Sequence, residues 1–460
     1  MQSLALFCRP SARLVCCYYL AAIVMIAFVI PRVQFEPDAW NMTLHRLIET
    51  GVGWSDPTSF ATAARDLYET GWIRIENAWI FNLWPPGLPM IEAAVLSVFG
   101  RDAPLLFILQ IAAVILHTAV AVAFYFILRK YANGVIAFFG AMLPFAFPVT
   151  RVYLLQPTGV AFGETFAVGF FFLGMLASFD AISQPSYPRA TMAGIALSLS
   201  AYIRSQFELI LMMQALVAVA LLLLAVTGVL RRITAQPVDV AKLLCVFIIV
   251  TSAQAALVPW RVHNLVQRGT AQWVATSSLT ARNSVMADAD LSAIGGNFVV
   301  LGGGNVACKV APQTCGNLDH AESLFIRTFI HYPIEWLSYK ASLMPKYWFA
   351  PMGNWVMVKN EARLSDIIYN SILAFIIAIG FVMILTLKSL KRHETWIALV
   401  LFNFTLLLSY AAISAFVQFE ARYLYFPKVA GIMLFLIEIA ILGSSRSAKI
   451  RKPNSGMTGG

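Results

Sequence analysis

The feature that most constrains this chain is a recurrence of apolar runs of bilayer-crossing length. They fall at 14–31, 104–128, 134–152, 164–181, 190–206, 207–230, 241–259, 364–387, 395–417 and 423–443. Each is close to the ~20 residues that a transmembrane helix requires. In hydrocarbon every backbone N–H and C=O must be satisfied inside its own segment or within a closed barrel. These runs are too long and continuous for barrel strands, which alternate apolar and polar residues over about ten positions. The expectation is an all-α, polytopic membrane protein of about ten transmembrane helices.

Composition agrees, since 59% of the 460 residues are hydrophobic and 12% are charged. The formal net charge of +10 suggests no nucleic-acid partner here, because in such a chain the distribution of charge reports orientation. With the first residues inside, the short inner connections collect Arg129, Lys130, Arg189, Arg231, Arg232, Lys242, Lys388, Lys391 and Arg392, against Asp180, Asp239 and Glu394. Both termini are then cytoplasmic, and 444–460 is a basic cytoplasmic tail. Arg9 and Arg13 precede the first run, and no small-x-small cleavage pattern closes it before Pro31-Arg32, which predicts an uncleaved anchor. Of the six cysteines, Cys308 and Cys315 share a polar loop and could close a disulfide if that loop is extracytoplasmic.

Residues 1–443 are expected to form one membrane domain with two large outer loops, 33–103 and 261–363. Connections need far fewer residues than this, and long ordered loops usually carry function. Within the first, Pro85 to Gly100 is apolar, but counting it as a crossing would invert every later loop. It is expected to lie at the outer interface, entered through the rigid Pro85-Pro86-Gly87-Leu88-Pro89 turn. In the second loop, the glycines from Gly295 to Gly304 lack the strand, helix and Gly-Lys-Ser/Thr ending of a phosphate-cradling loop. Leu318–Tyr339 regains helical periodicity, broken at Pro333.

Asp56 precedes Pro57, and Phe60, Ala64 and Leu67 follow at helical spacing. It is an N-cap, a functional carboxylate, or both. Glu164 opens a span at its outer end, as a functional acid or as a partner of the helix N-terminus. Arg204 lies four residues before Glu208, a spacing that suits an intrahelical ion pair as well as anion binding. Arg261 and His263 follow Pro259-Trp260 at a span exit, and Arg422-Tyr423 open the last span; both places suit basic groups that snorkel to the surface. His117 is expected to be a hydrogen-bonded interhelical residue. Together these groups suit transfer from a lipid phosphate. Such a leaving group is already a stable anion, so one carboxylate base and an arginine phosphate clamp suffice.

The order of these features resembles the polytopic glycosyltransferases of the GT-C class, particularly bacterial relatives of protein O-mannosyltransferases and of the lipid A aminoarabinose transferase. Asp56 to Phe60 is similar to their Asp-x-x-x-Tyr/Phe pattern in the first outer loop. Pro85-Pro86 and Phe99-Gly100 are similar to a proline turn into an interfacial helix. Glu164 corresponds to a second acid, Pro259-Trp260-Arg261-Val262-His263-Asn264 to a run opening the large outer loop, and Arg422-Tyr423 to a pair at the last span. Ser59 stands where aminoarabinose transferases have a phosphate-contacting arginine, so a clamp would be drawn from Arg204, Arg261 or Arg422. Asp38 competes with Asp56 as base.

The resemblance implies an inverting transfer of a sugar from a polyprenyl phosphate to a lipid, glycan or protein acceptor. It implies Asp56 and Glu164 as catalytic acids, with Arg204, Arg261, His263, Arg422 and Tyr423 binding substrate or phosphate. It also implies a bacterial inner-membrane setting with an extracytoplasmic active site and no cofactor, divalent-metal dependence being left open. The alternative is a transporter or flippase of lipid-linked glycans, which would show inverted repeats or charged, broken helices at mid-membrane. Glu438, an acid within the last span, is the residue on that side of the balance.

Overall fold

The computed structural model describes residues 12–29, 41–49, 55–146, 157–234, 239–269, 271–273, 284–285, 299–300, 304–310, 321–349, 364–416, 419–420, 423 and 425–450. In chain order its main helices begin with α1 (Ala12–Val24), α2 (Leu44–Glu49), α3 (Ser55–Thr70) and α4 (Gly87–Phe99). They continue with α5 (Leu105–Arg129), α6 (Gly134–Ala146), α7 (Glu164–Ser183), α8 (Tyr187–Ile203), α9 (Gln206–Val226), α10 (Val229–Thr234) and α11 (Val240–Arg268). After these come α12 (Gly304–Val310), α13 (Ala321–His331), α14 (Pro333–Trp348), α15 (Leu364–Thr386), α16 (Lys388–Lys391), α17 (Trp396–Phe416) and α18 (Tyr425–Ile450). Among the described residues the one sheet is a two-residue antiparallel pairing of β1 (Val299–Val300) with β2 (Phe419–Glu420).

Seven of these helices, α5, α7, α9, α11, α15, α17 and α18, are long and apolar enough to cross a membrane. The architecture is therefore that of a helical, multi-pass membrane protein. Three of the expected crossings are shorter in the described residues. The first is α1 running on as a π-turn over Met25–Val29. The second, α6, carries Pro144 inside its last turn and is described only to Ala146; a proline there removes one ladder hydrogen bond. The third, α8, has 17 residues, about 25 Å of rise.

The ends of α7 and α8 show how the chain alternates. Lys130 and Arg189 both hold Asp180 at 2.6 Å at one end of the bundle. At the other end Arg204, the residue after α8, reaches back to Glu164, the first residue of α7. Hence α8 returns the chain to the level at which α7 began. Small residues permit this tight antiparallel pairing, as in membrane helices generally. Gly174 meets Leu197, and on the other flank of α8 Gly194 lies directly on Ser252 and the Ile249 carbonyl of α11. Aromatic rings bind the later helices to this hairpin: Phe179 stacks on Phe402 at 5.7 Å, and Phe426 of α18 packs on Phe171 and Phe207.

α3, α4 and α14 lie toward the end of the bundle that holds Glu164 and Arg204, whereas the short α10 and α16 lie at the other end. α4 packs on α3 and exposes Val98 and Phe99. The segment Leu318–Tyr339 is split at Pro333, which opens α14, and Trp336 Nε1 donates to the Ala415 carbonyl at 2.8 Å, docking α14 on the end of α17. Cys308 is disulfide-bonded; Cys315, Asp38, Arg422, most of the glycine-rich run and the tail beyond Ile450 lie outside the described residues.

Candidate functional site

The first structural consequence of the sequence is a convergence of three distant stretches. Arg204 Nη2 is 3.0 Å from Glu164 Oε1, and Arg204 Nη1 is 3.5 Å from Asp56 Oδ2. Asp56 and Arg204 are 148 residues apart. Their side-chain exposures differ in a telling way: 0% for Glu164 and 7% for Arg204, but 14% for Asp56. Glu164 is thus the buried partner that fixes the guanidinium, while Asp56 sits at the longer distance on the side that meets solvent.

Local structure explains each position. Helix α3 begins at Ser55, so Asp56 stands inside the first turn rather than at the N-cap position, and its carboxyl is turned to Arg204. Gly163 precedes Glu164 with φ +76°, a left-handed conformation that favours glycine. A side chain there would also press on Ile203 and Leu88 at 3.0 Å. The Pro85-Pro86-Gly87 turn lies against the same place, since a Cβ on Gly87 would collide with the Tyr202 carbonyl. On the far side of Glu164, His117 lies 2.9 Å from the Thr165 carbonyl through Nε2 and ties α5 to α7. It is an interhelical hydrogen-bonded residue.

Arg204 does not pair with Glu208, because a break at Arg204-Ser205 separates α8 from α9. Glu208 instead holds Arg261 at 2.6 Å. α11 runs through Pro259 to Arg268, so the run expected to open the second loop is helical and the loop starts later. The reason lies in what the helix contacts there. Trp260 Nε1 donates to the Trp273 carbonyl at 2.9 Å, and Asn264 Nδ2 donates to the carbonyls of Gln272 and Trp273 at 2.7 and 2.8 Å. These bonds anchor the last turns of the helix.

Arg261 and His263 form a second group beside the first. His263 stacks on Trp260 at 4.7 Å and meets the edge of Trp72 at 5.3 Å. Trp72, Trp260 and His263, together with Tyr202, Pro86 and Met90, line a cavity of about 340 Å³. Tyr202 precedes Arg204 by two residues, and Pro86 precedes the Gly87 that packs on the Tyr202 carbonyl; Asp56, Glu164 and Arg204 themselves are not among the lining residues. Tyr423 is half-buried just before α18.

Two buried carboxylates are not among the residues expected from sequence. Asp66 accepts from the Arg74 backbone N–H at 3.1 Å and Asn77 Nδ2 at 2.7 Å, holding the strap after α3 in place. Glu92 of α4 is fully buried, and neither carboxyl oxygen has a hydrogen-bond partner among the described residues. Burial pushes its pKa well above the ordinary carboxylate range. The only sequence signal was a lone acid in an apolar helical run.

Chemically, two carboxyl groups share one guanidinium beside an aromatic, partly apolar recess. Such a group can accept a proton at Asp56 while Arg204 and Glu164 hold its geometry. Among the described residues no group of three or more His, Cys, Asp or Glu side chains is gathered closely enough to hold a metal ion. No protein-family model matches this chain, and no curated protein matches it significantly.

Proposed function

We propose that this protein is a polyprenyl-phosphate-sugar-dependent glycosyltransferase of GT-C type, acting at the extracytoplasmic face of a bacterial inner membrane. The observation that carries this reading is the single Arg204 contacting both Asp56 and Glu164. The resemblance to GT-C enzymes implies both acids as catalytic, and a charge cluster drawn from three separate stretches is a common feature of functional sites. Asp56, the more exposed member, acts as general base. It takes the proton of an acceptor hydroxyl as that oxygen bonds to the anomeric carbon from the face opposite the phosphate. The carbon–oxygen bond to phosphate breaks, polyprenyl phosphate leaves as an anion, and the anomeric centre inverts. No general acid is needed, because the leaving group is already stable as an anion.

Two carboxylates contact Arg204, so we assign it to positioning; Arg261, which among the described residues forms an ion pair with Glu208 alone, and Arg422 are assigned to the phosphate. The aromatic recess of Trp72, Trp260 and His263 is the place for the donor or acceptor beside the base. Ten crossings with both termini cytoplasmic are part of the same proposal. The basic residues Lys130, Arg189, Arg231, Arg232, Lys242, Lys391 and Arg392 sit at the end of the bundle away from Asp56, as the positive-inside rule asks of a cytoplasmic face.

The test uses membranes carrying the wild-type protein, Asp56→Asn or Glu164→Gln, given labelled polyprenyl-phosphate sugars. Loss of label transfer in the Asp56 variant, with normal insertion, is the expected result. Full transfer by both variants would overturn the assignment. The transporter reading rests on Glu438, a fully buried intramembrane acid 3.4 Å from Asn403 Nδ2; label that changes leaflet without changing its covalent partner would favour it.

A further inference from the structure

The opposite end of the bundle carries a second recess, of about 200 Å³. Its walls are α10, the first turn of α11, and the turn from α16 into α17. Three cations line it, Lys242, Lys391 and Arg392, against two acids, Asp239 and Glu394. Lys242 is already engaged, 3.9 Å from Asp239 Oδ2 and donating to the Glu394 backbone carbonyl at 3.2 Å. Lys391 and Arg392 form no ion pair with any described residue. Arg231 and Arg232, exposed on the same helix α10, are not among the residues that line the recess.

The remaining wall is apolar. Leu230, Trp396 and Ile397 face the recess, and Trp396 is held in place by donating from Nε1 to the Ile384 carbonyl at 3.3 Å. Tryptophan at the ends of membrane helices marks the headgroup level, and here α9, α11, α15 and α17 all end around the recess. A solvated basic loop would explain the charges but not their arrangement around a cavity with a hydrocarbon side. A free anion would explain the cations but leave Leu230 and Ile397 without a use.

We infer that this recess binds the phosphodiester head of an anionic glycerophospholipid. The phosphate lies against Lys391 and Arg392, and the acyl chains pass over the Leu230–Ile397 side into the bilayer. Basic pockets between helices at a membrane surface recognise such heads. The inference is independent of the transfer chemistry at Asp56.

Native mass spectrometry of the full-length protein in detergent tests it, with dioleoyl phosphatidylglycerol and dioleoyl phosphatidylcholine as probes. The two lipids share acyl chains and differ in headgroup charge. Wild type should prefer phosphatidylglycerol. Removing two headgroup cations, in Lys391→Gln/Arg392→Gln, should weaken phosphatidylglycerol binding about thirtyfold, at about fivefold per cation. The charge-matched tail variant Lys449→Gln/Arg451→Gln should keep the preference, as should the charge-preserving exchange Lys391→Arg/Arg392→Lys. If the double glutamine variant does not fold, the single variants Lys391→Gln and Arg392→Gln carry the test at about fivefold each.

Unchanged phosphatidylglycerol binding in the glutamine variants would overturn the site. An equal loss in the tail variant would reduce it to general surface charge. Displacement of the lipid by inorganic phosphate at millimolar concentration would make it a site for a free anion and overturn the lipid assignment.

Discussion

Replacing Arg204 with leucine removes the cation that, among the described residues, contacts both Asp56 and Glu164, and the structure indicates what that costs. Glu164 has a side-chain exposure of 0% and Arg204 of 7%, with 3.0 Å between them, so solvent screens the pair little. Removing one partner of a buried ion pair leaves an uncompensated charge and costs about 3–5 kcal/mol. Asp56, more exposed and at 3.5 Å, adds less. Replacing both Arg204 and Glu164 by leucine removes the buried pair together and leaves Asp56, the more exposed acid, as the one group that loses this cation; such double replacements of a buried pair are often close to neutral. Arg204→Leu should therefore lower the melting temperature by roughly 3–5 °C, since an unfolding entropy of about 2 cal/mol/K per residue makes 1 kcal/mol worth about 1 °C in a chain of 460 residues. Arg204→Leu/Glu164→Leu should recover most of that loss, a coupling of at least ~1.5 kcal/mol. Thermal unfolding of detergent-solubilised protein by intrinsic fluorescence reads these differences. Asp180→Asn is the control, since Asp180 is 30% exposed in its pairs with Lys130 and Arg189, and half-solvated pairs of that kind are worth about 0–1 kcal/mol. Strictly additive losses in the two single variants, or an Arg204→Leu cost no larger than that of Asp180→Asn, would refute the buried pair.

Two further predictions concern packing and pH. Gly194→Val pushes a branched side chain into Ser252 and the Ile249 carbonyl across the α8–α11 contact, so it should destabilise by about 1–3 kcal/mol or more. Gly443→Ala, which meets nothing within 4 Å, should unfold like wild type in the same scan. Glu92 has its pKa raised by burial, so the folded state prefers the neutral acid. The cost of keeping it buried is absent below the unfolded value of about 4.3 and grows as pH rises toward the folded pKa. Glu92→Gln should therefore match wild type near pH 4 and gain stability progressively toward neutral pH; a difference that does not vary with pH would rule this out.

What could be read from residues alone was the solvent each segment meets. Runs near 20 apolar residues force helices, because hydrocarbon offers no partner for a bare peptide group. The basic residues of the short connections, from Lys130 to Arg392, gather at one end of the bundle. Asp56, Glu164 and Arg204 were singled out in the sequence as candidates, and the structure brings the three together. Their pairing was not legible there. At helical spacing Arg204 should meet Glu208, yet it meets Glu164 and Asp56, and Glu208 takes Arg261. Side-chain pairing across 148 residues depends on how α3, α7, α8 and α11 dock. That docking is set by glycine contacts and backbone hydrogen bonds with no periodic signature. The same holds for α11 continuing past Pro259, a residue that reads as a stop until Trp273 is seen to anchor the turns beyond it. Sequence determined the medium and the chemical types available. Only tertiary structure decided which charge faces which, because an ion pair is a property of distance and burial, and neither is local in the chain.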